Sequence, residues 1–118
     1  MTTTLHDFKA QLFRALANPL RIRILEELRA AGSLTVTELH QRTAAEPANV
    51  SQHLGVLRAN GLVATQRDGT SVWYRVVDEG IFDLLDVSRD IFTRQLDARQ
   101  LLLTSEMESS RRPSGRPA

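Results

Sequence analysis

At residue 62 the hydrophobic pattern of this chain changes period, and that change limits the folds open to it. Before it, apolar residues recur at helical spacing. Leu5, Phe8, Leu12 and Leu16 mark an amphipathic helix over 5–17, and Leu20, Ile24, Leu25 and Leu28 mark a second over 19–31. After it, Leu62-Val63-Ala64-Thr65-Gln66-Arg67 and Ser71-Val72-Trp73-Tyr74-Arg75-Val76-Val77 are rich in β-branched and aromatic residues. They flank Asp68-Gly69, a strong hairpin signal. From Asp78 to about Thr104 the helical spacing returns.

Capping residues sharpen the boundaries. Asn18 suits an N-cap and Pro19 the first helical position, where its missing N–H costs nothing. Gly32 is a fitting stop for the second helix. Thr35 with Glu38 forms a capping-box pattern that opens a short third helix through about Thr43. Ala44-Ala45-Glu46-Pro47 is a turn, and Pro47 starts a fourth helix that runs to about Asn60 and is closed by Gly61. Two short helices a few residues apart form a helix-turn-helix candidate. With a hairpin directly behind, the pattern reads as a winged helix-turn-helix, mainly α with a small β-hairpin (α+β) and a long C-terminal helix. At 118 residues one domain is the prior. It is placed at residues 1–104, with the Ser/Arg/Pro-rich stretch 105–118 expected to be a disordered tail.

Several function classes fall away. Cysteine is absent, which removes disulfides, thiolate metal sites and thiol redox sensing. No apolar run approaches the ~20 residues that span a bilayer. The start, MTTTLHDFKAQ, lacks a basic segment followed by an apolar one, so a cytoplasmic protein without membrane partners is expected. Ser51 and His53 have the chemistry of a nucleophile and a base, but residues two apart on a helix do not face each other. No Gly-rich phosphate loop and no HExxH motif occur. An enzyme is not expected, and neither is a cofactor. The net charge of +1 conceals segregation: residues 5–77 carry nine basic against six acidic residues, and residues 78–104 carry three against six. What a polyanion meets is the local field of one face, not the total.

On the fourth helix Val50, Leu54 and Leu57 share one side and should face the core. Asn49, Ser51 and Gln52 lie toward the other side near the N-terminus, where recognition helices meet base edges. Gly55 lets the helix backbone come close to a partner. Read alone, this is an ordinary solvated face; the hairpin behind it turns the reading toward DNA. Arg58 at the helix end, and Arg67, Thr70, Ser71 and Arg75 around the hairpin turn, suit phosphate contacts. Arg67 paired with Asp68 is the plainer alternative. Of Arg21 and Arg23, one is read as structural and the other as a candidate for the DNA backbone. Trp73 and Tyr74 alternate, so one should face inward and the other outward.

The last helix is apolar on two sides. Ile81, Leu85, Phe92, Leu96 and Leu103 form one stripe, and Leu84, Val87, Ile91 and Leu102 the other. A helix apolar on two sides has two neighbours, and the second is read as a partner chain. Asp83, Asp86 and Asp90 share a face of this helix and are weak candidates for a metal, alone or with a histidine from another chain; a solvated charged face is the plainer reading.

FRALANPLRIRILEEL, then ELHQRTAAEPANVSQHLGVLRANGLVATQRDG, then TSVWYRV resemble the ArsR/SmtB family of bacterial winged-helix repressors over about residues 5–104. The resemblance implies a homodimeric repressor on a palindromic double-stranded operator. It also implies a dimer interface built from the first and last helices, here Phe8, Leu12, Leu84, Val87, Ile91 and Leu102. Ser51, Gln52 and His53 match the family's recognition-helix motif, and Arg67 and Gly69 match its wing. The departures concern sensing. Glu38-Leu39-His40 carries no cysteine where many members hold metal, and the last helix has Asp without His where others use both. The family's usual inducers therefore do not transfer, and the effector stays open. The alternatives are a metal-responsive repressor with Asp/His ligands on the last helix, or a winged-helix protein-interaction module without DNA preference.

Overall fold

Two prolines decide where helices begin. Pro19 and Pro47 stand at the N-termini of α2 and α4, where a proline ring fits and no hydrogen bond is lost. The computed structural model describes residues 4–111. In chain order these form α1 (Leu5–Leu16), α2 (Pro19–Ala31), α3 (Val36–Thr43), α4 (Pro47–Ala59), β1 (Val63–Asp68), β2 (Ser71–Val76) and α5 (Gly80–Arg111). Local chemistry fixes most of the helix starts. The Asn18 side chain accepts from the Leu20 and Arg21 N–H groups at 3.0 and 3.1 Å. Thr35 and Glu38 form the expected capping box, and Thr4 with Asp7 forms another on α1. Gly32 ends α2 with φ +86°, a conformation that favours glycine.

The turn between α3 and α4 is held differently. Ala44, with no glycine's freedom, sits at φ +61°, a conformation that costs an L-residue roughly 1–2 kcal/mol. A tight set of hydrogen bonds offsets it. The Ala44 N–H donates to the His40 carbonyl at 2.9 Å, and the His40 Nδ1–H donates to the Ala45 carbonyl at 2.6 Å. The buried Thr43 hydroxyl donates to the Leu39 carbonyl at 2.7 Å and accepts from the Ala45 N–H at 3.3 Å. His40 is thereby a structural residue of the turn.

The core closes around this turn. Ile24, Leu25 and Leu28 of α2, Leu39 of α3, and Val50, Leu54 and Leu57 of α4 are all at most 1% exposed. Leu34, Leu62, Val63 and Ile81 are buried with them. The two strands pair antiparallel from Val63↔Val76 to Asp68↔Ser71. The connecting loop is therefore Gly69-Thr70, one residue later than the Asp-Gly signal suggested. Gly69 has φ +62° while Thr70 is not in the positive-φ region, which is the two-residue loop with glycine first. A further link was absent from the sequence reading: Leu34 bridges Tyr74 through two backbone bonds of 3.1 and 2.9 Å, tying the wing to the α2–α3 connection.

The chain divides into two compact units at Asp83/Leu84. In the first unit the Arg29 guanidinium lies 5.2 Å from the centre of the Phe82 ring. In the second, α5 continues to Arg111. The segment 105–111 is thus helical, not part of a disordered tail, and the helix passes the expected end at 104; residues 112–118 of the expected tail lie outside the described residues. No helix among the described residues is long and apolar enough to cross a membrane.

Candidate nucleic-acid interface

α4 has two faces with opposite fates. Val50, Leu54 and Leu57 are fully buried, and this pins the helix by one side. Asn49, Ser51, Gln52, Gly55 and Arg58 are all exposed on the rest of its surface. None of the polar side chains in that set has a hydrogen-bond or ion-pair partner among the described residues. The N-cap of α4, Glu46, supplies no side-chain hydrogen bond, unlike the caps of α1, α2 and α3. The first N–H groups of α4 therefore keep their capacity to donate, at the end where a helix favours anions.

His53 sits on the half-buried side of α4, and its Nδ1 lies 3.2 Å from Arg21 Nη1. A guanidinium has no acceptor, so it donates and the histidine nitrogen accepts. Of Arg21 and Arg23, the bond identifies which one is structural. Arg21 is the structural one, because it also donates from Nε to the Ala15 carbonyl at 2.7 Å and from Nη2 to the Arg14 carbonyl at 3.1 Å. Arg23 is exposed. No pattern in the sequence linked Arg21 with His53, which are 32 residues apart.

On the wing, Arg67, Thr70, Ser71 and Arg75 are exposed, and they too have no side-chain partner among the described residues. Arg67 is not ion-paired with Asp68, the plainer reading of that residue. Pairing sets Arg67 across from Val72, and Arg75 across from Ala64 on the opposite face, beside the Gln66↔Trp73 pair. A cleft of about 410 Å3 opens here, lined by Ser33, Gln66, Arg67, Asp68, Trp73 and Arg75. Trp73 and Tyr74 are both half-buried, so neither is the fully outward aromatic that alternation predicted. The backbone bridge to Leu34 holds the strand at Tyr74, and Trp73 lines both this cleft and a second one against Thr35, Val36 and Glu38 at the start of α3.

The candidates on the two remaining helices stand apart from these. Phe8 is 57% exposed and Leu12 half-buried on α1, with Leu5 and Phe13 also exposed. On α5, Leu84 is half-buried, while Val87, Ile91 and Leu102 are 52%, 44% and 64% exposed. Asp83 and Asp90 are exposed and Asp86 is half-buried. Among the described residues no three His, Asp or Glu side chains gather as a metal site would require.

Residues 16–66 match a helix-turn-helix domain family. Over 103 residues the chain is 41% identical to the uncharacterised HTH-type transcriptional regulator Rv0081 of Mycobacterium tuberculosis, covering 84% of this chain and 87% of that one. The crystal structure of Rv0081 superimposes with a TM-score of 0.73 over 83% of this chain and 98% of that one. The chain is also similar to the biofilm growth-associated repressor of Xylella fastidiosa, 33% identical over 73% of this chain and 75% of that one. A third relative is the homodimeric winged helix-turn-helix DNA-binding domain of Mb0332 from Mycobacterium bovis, described as a possible ArsR-family regulator. It is 31% identical with a TM-score of 0.70, covering 80% of this chain and 86% of that one.

Proposed function

Because this chain belongs to the ArsR/SmtB-type helix-turn-helix transcriptional regulators, we propose that it is a homodimeric repressor that sets two copies of α4 and the wing on a palindromic operator. The polar face of α4 carries this reading: Asn49, Ser51 and Gln52 are exposed and unpartnered on a helix whose other face is locked into the core. Gln52 and Asn49 can bond bidentately to adenine, and Ser51 can reach a base or a phosphate. Arg58, Arg67, Thr70, Ser71 and Arg75 contact phosphates, which adds affinity without sequence choice. His53 orients α4 from behind.

Dimerisation joins the apolar faces through Phe8, Leu12, Leu84, Val87, Ile91 and Leu102. The homodimeric state of Mb0332 supports this, as does the run of exposed aliphatic residues on α5. Residues 1–104 serve as the DNA-binding and dimerisation domain, acting in the cytoplasm. Two-fold symmetry sets the half-sites about one helical turn apart or a small multiple of that. The chain has no thiol, so release from DNA does not run through cysteine.

The test is a selection of duplexes from fragmented genomic DNA, followed by mobility shifts at moderate salt. A symmetric site that outcompetes bulk DNA by about 1000-fold is expected. If every fragment competes as well as bulk DNA, the reading is wrong.

A further inference from the structure

Arg21 joins three helices at one guanidinium. It stands in the first turn of α2, half-buried, and uses three nitrogens on three acceptors. Two are carbonyls of the last turn of α1, those of Ala15 and Arg14, the latter also accepting from the Ala17 N–H at 3.2 Å. A cation there is also favoured by the α1 dipole. The third is Nδ1 of His53, at the centre of α4. Since the arginine must donate, that nitrogen must carry a lone pair, so the neutral ring holds its proton on Nε2. Among the described residues, Arg21 is the charged group hydrogen-bonded to the ring, and α1 contributes only its two carbonyls to this junction.

We infer that Arg21 is a positioning residue that fixes the seating of α4 against α1 through a neutral His53, and that sequence discrimination depends on this bond. The hydrophobic contacts of Val50, Leu54 and Leu57 hold α4 to the core, but aliphatic packing is non-directional. A hydrogen bond from a planar, three-pronged donor restricts the small rotations that would move Ser51 and Gln52 off a base edge. The anchor of that donor is α1, the helix that carries exposed Phe8. The pose of the reading helix is thereby tied to the helix proposed to meet the partner chain.

This inference rests on the DNA-binding reading, and the two fail differently. The experiment uses the intact chain, a duplex that the wild-type protein selects from random-sequence DNA, and a scrambled duplex of equal length. A wild-type protein that selects nothing overturns the DNA-binding reading and this inference with it. With a selected duplex in hand, Arg21→Lys keeps the charge but cannot span three acceptors. It should lower affinity for the selected duplex about 10-fold and leave the scrambled duplex and the salt slope unchanged. An equal loss on both duplexes with a shallower salt slope makes Arg21 a phosphate contact and overturns the inference, as does no loss. His53→Ala approaches the bond from α4 and leaves the α1 contacts intact, so it serves even if Arg21→Lys folds poorly. The double variant should lose no more than the worse single one, whereas additive losses overturn the coupling. His53→Asn, whose amide oxygen can accept in place of Nδ1, should keep the discrimination that His53→Ala loses; an equal loss in the two variants overturns the inference.

Discussion

Leu54 and Ile91 are both aliphatic residues on helices, and they end in opposite places. Leu54 is 0% exposed in the winged core, whereas Ile91 on α5 is 44% exposed. Its neighbours along α5 repeat the pattern, with Phe92 at 64% and Leu96 at 52%. The core of the first unit is therefore complete within one chain. The apolar faces of α5 are not, and apolar area left in water carries a standing cost of roughly 25 cal/mol per Å2. Similar side chains thus end in two settings, one closing the core of the winged unit and the other exposed on the face we propose for the partner chain.

Breaking each region separately tests that division. Leu54→Ala removes packing from a site that cannot collapse easily, and should cost about 3 kcal/mol. That is a large share of the stability of a domain this size. Urea unfolding should show the midpoint falling with the slope unchanged. Ile91→Asp should leave the far-ultraviolet circular dichroism and most of the core stability intact, yet give a monomer in sedimentation at micromolar concentration. Operator affinity should drop by about 100-fold, because the second half-site is no longer delivered by the same molecule. A dimer that survives Ile91→Asp would remove α5 from the interface.

A finer pair divides the reader itself. Gln52→Ala should cost about 1–2 kcal/mol on the preferred duplex and relax the preference at a single base position. Arg67→Ala should weaken every duplex alike and reduce the salt slope by about 1. If Gln52→Ala behaves like Arg67→Ala, then the exposed face of α4 grips phosphates and does not read bases.

The fold was legible in the sequence where local chemistry decides it. Asn18-Pro19, Thr35 with Glu38, and Pro47 are signals complete within four residues, and each helix start they announce is present. The Asp-Gly signal located the hairpin but not its loop, because registers one residue apart differ only in how the two strands pair, which no short window contains. The end of α5 was misplaced for a related reason. Ser105, Glu106, Ser109 and Ser110 read as tail composition, but a helix already running extends at little cost per residue once nucleated. The exposed candidates on α4 and the wing could be named from periodicity. The Arg21–His53 bond could not, because it is a tertiary contact between two elements with no pattern connecting them.

The smallest predicted effect is also the one that separates the two roles within α4. Gly55 lies in a helix interior, where glycine costs up to about 1 kcal/mol relative to alanine. A Cβ built there meets nothing within 4 Å, so packing inside the chain does not require glycine. Gly55→Ala should therefore raise the unfolding midpoint in urea. If the α4 backbone comes close to DNA, the added methyl has no room on that side, and affinity for the selected duplex should fall a few-fold while stability rises. Opposite signs from one methyl group place Gly55 at the contact. Stability and affinity rising together would move the contact toward the N-terminal turn, onto Asn49 and Gln52.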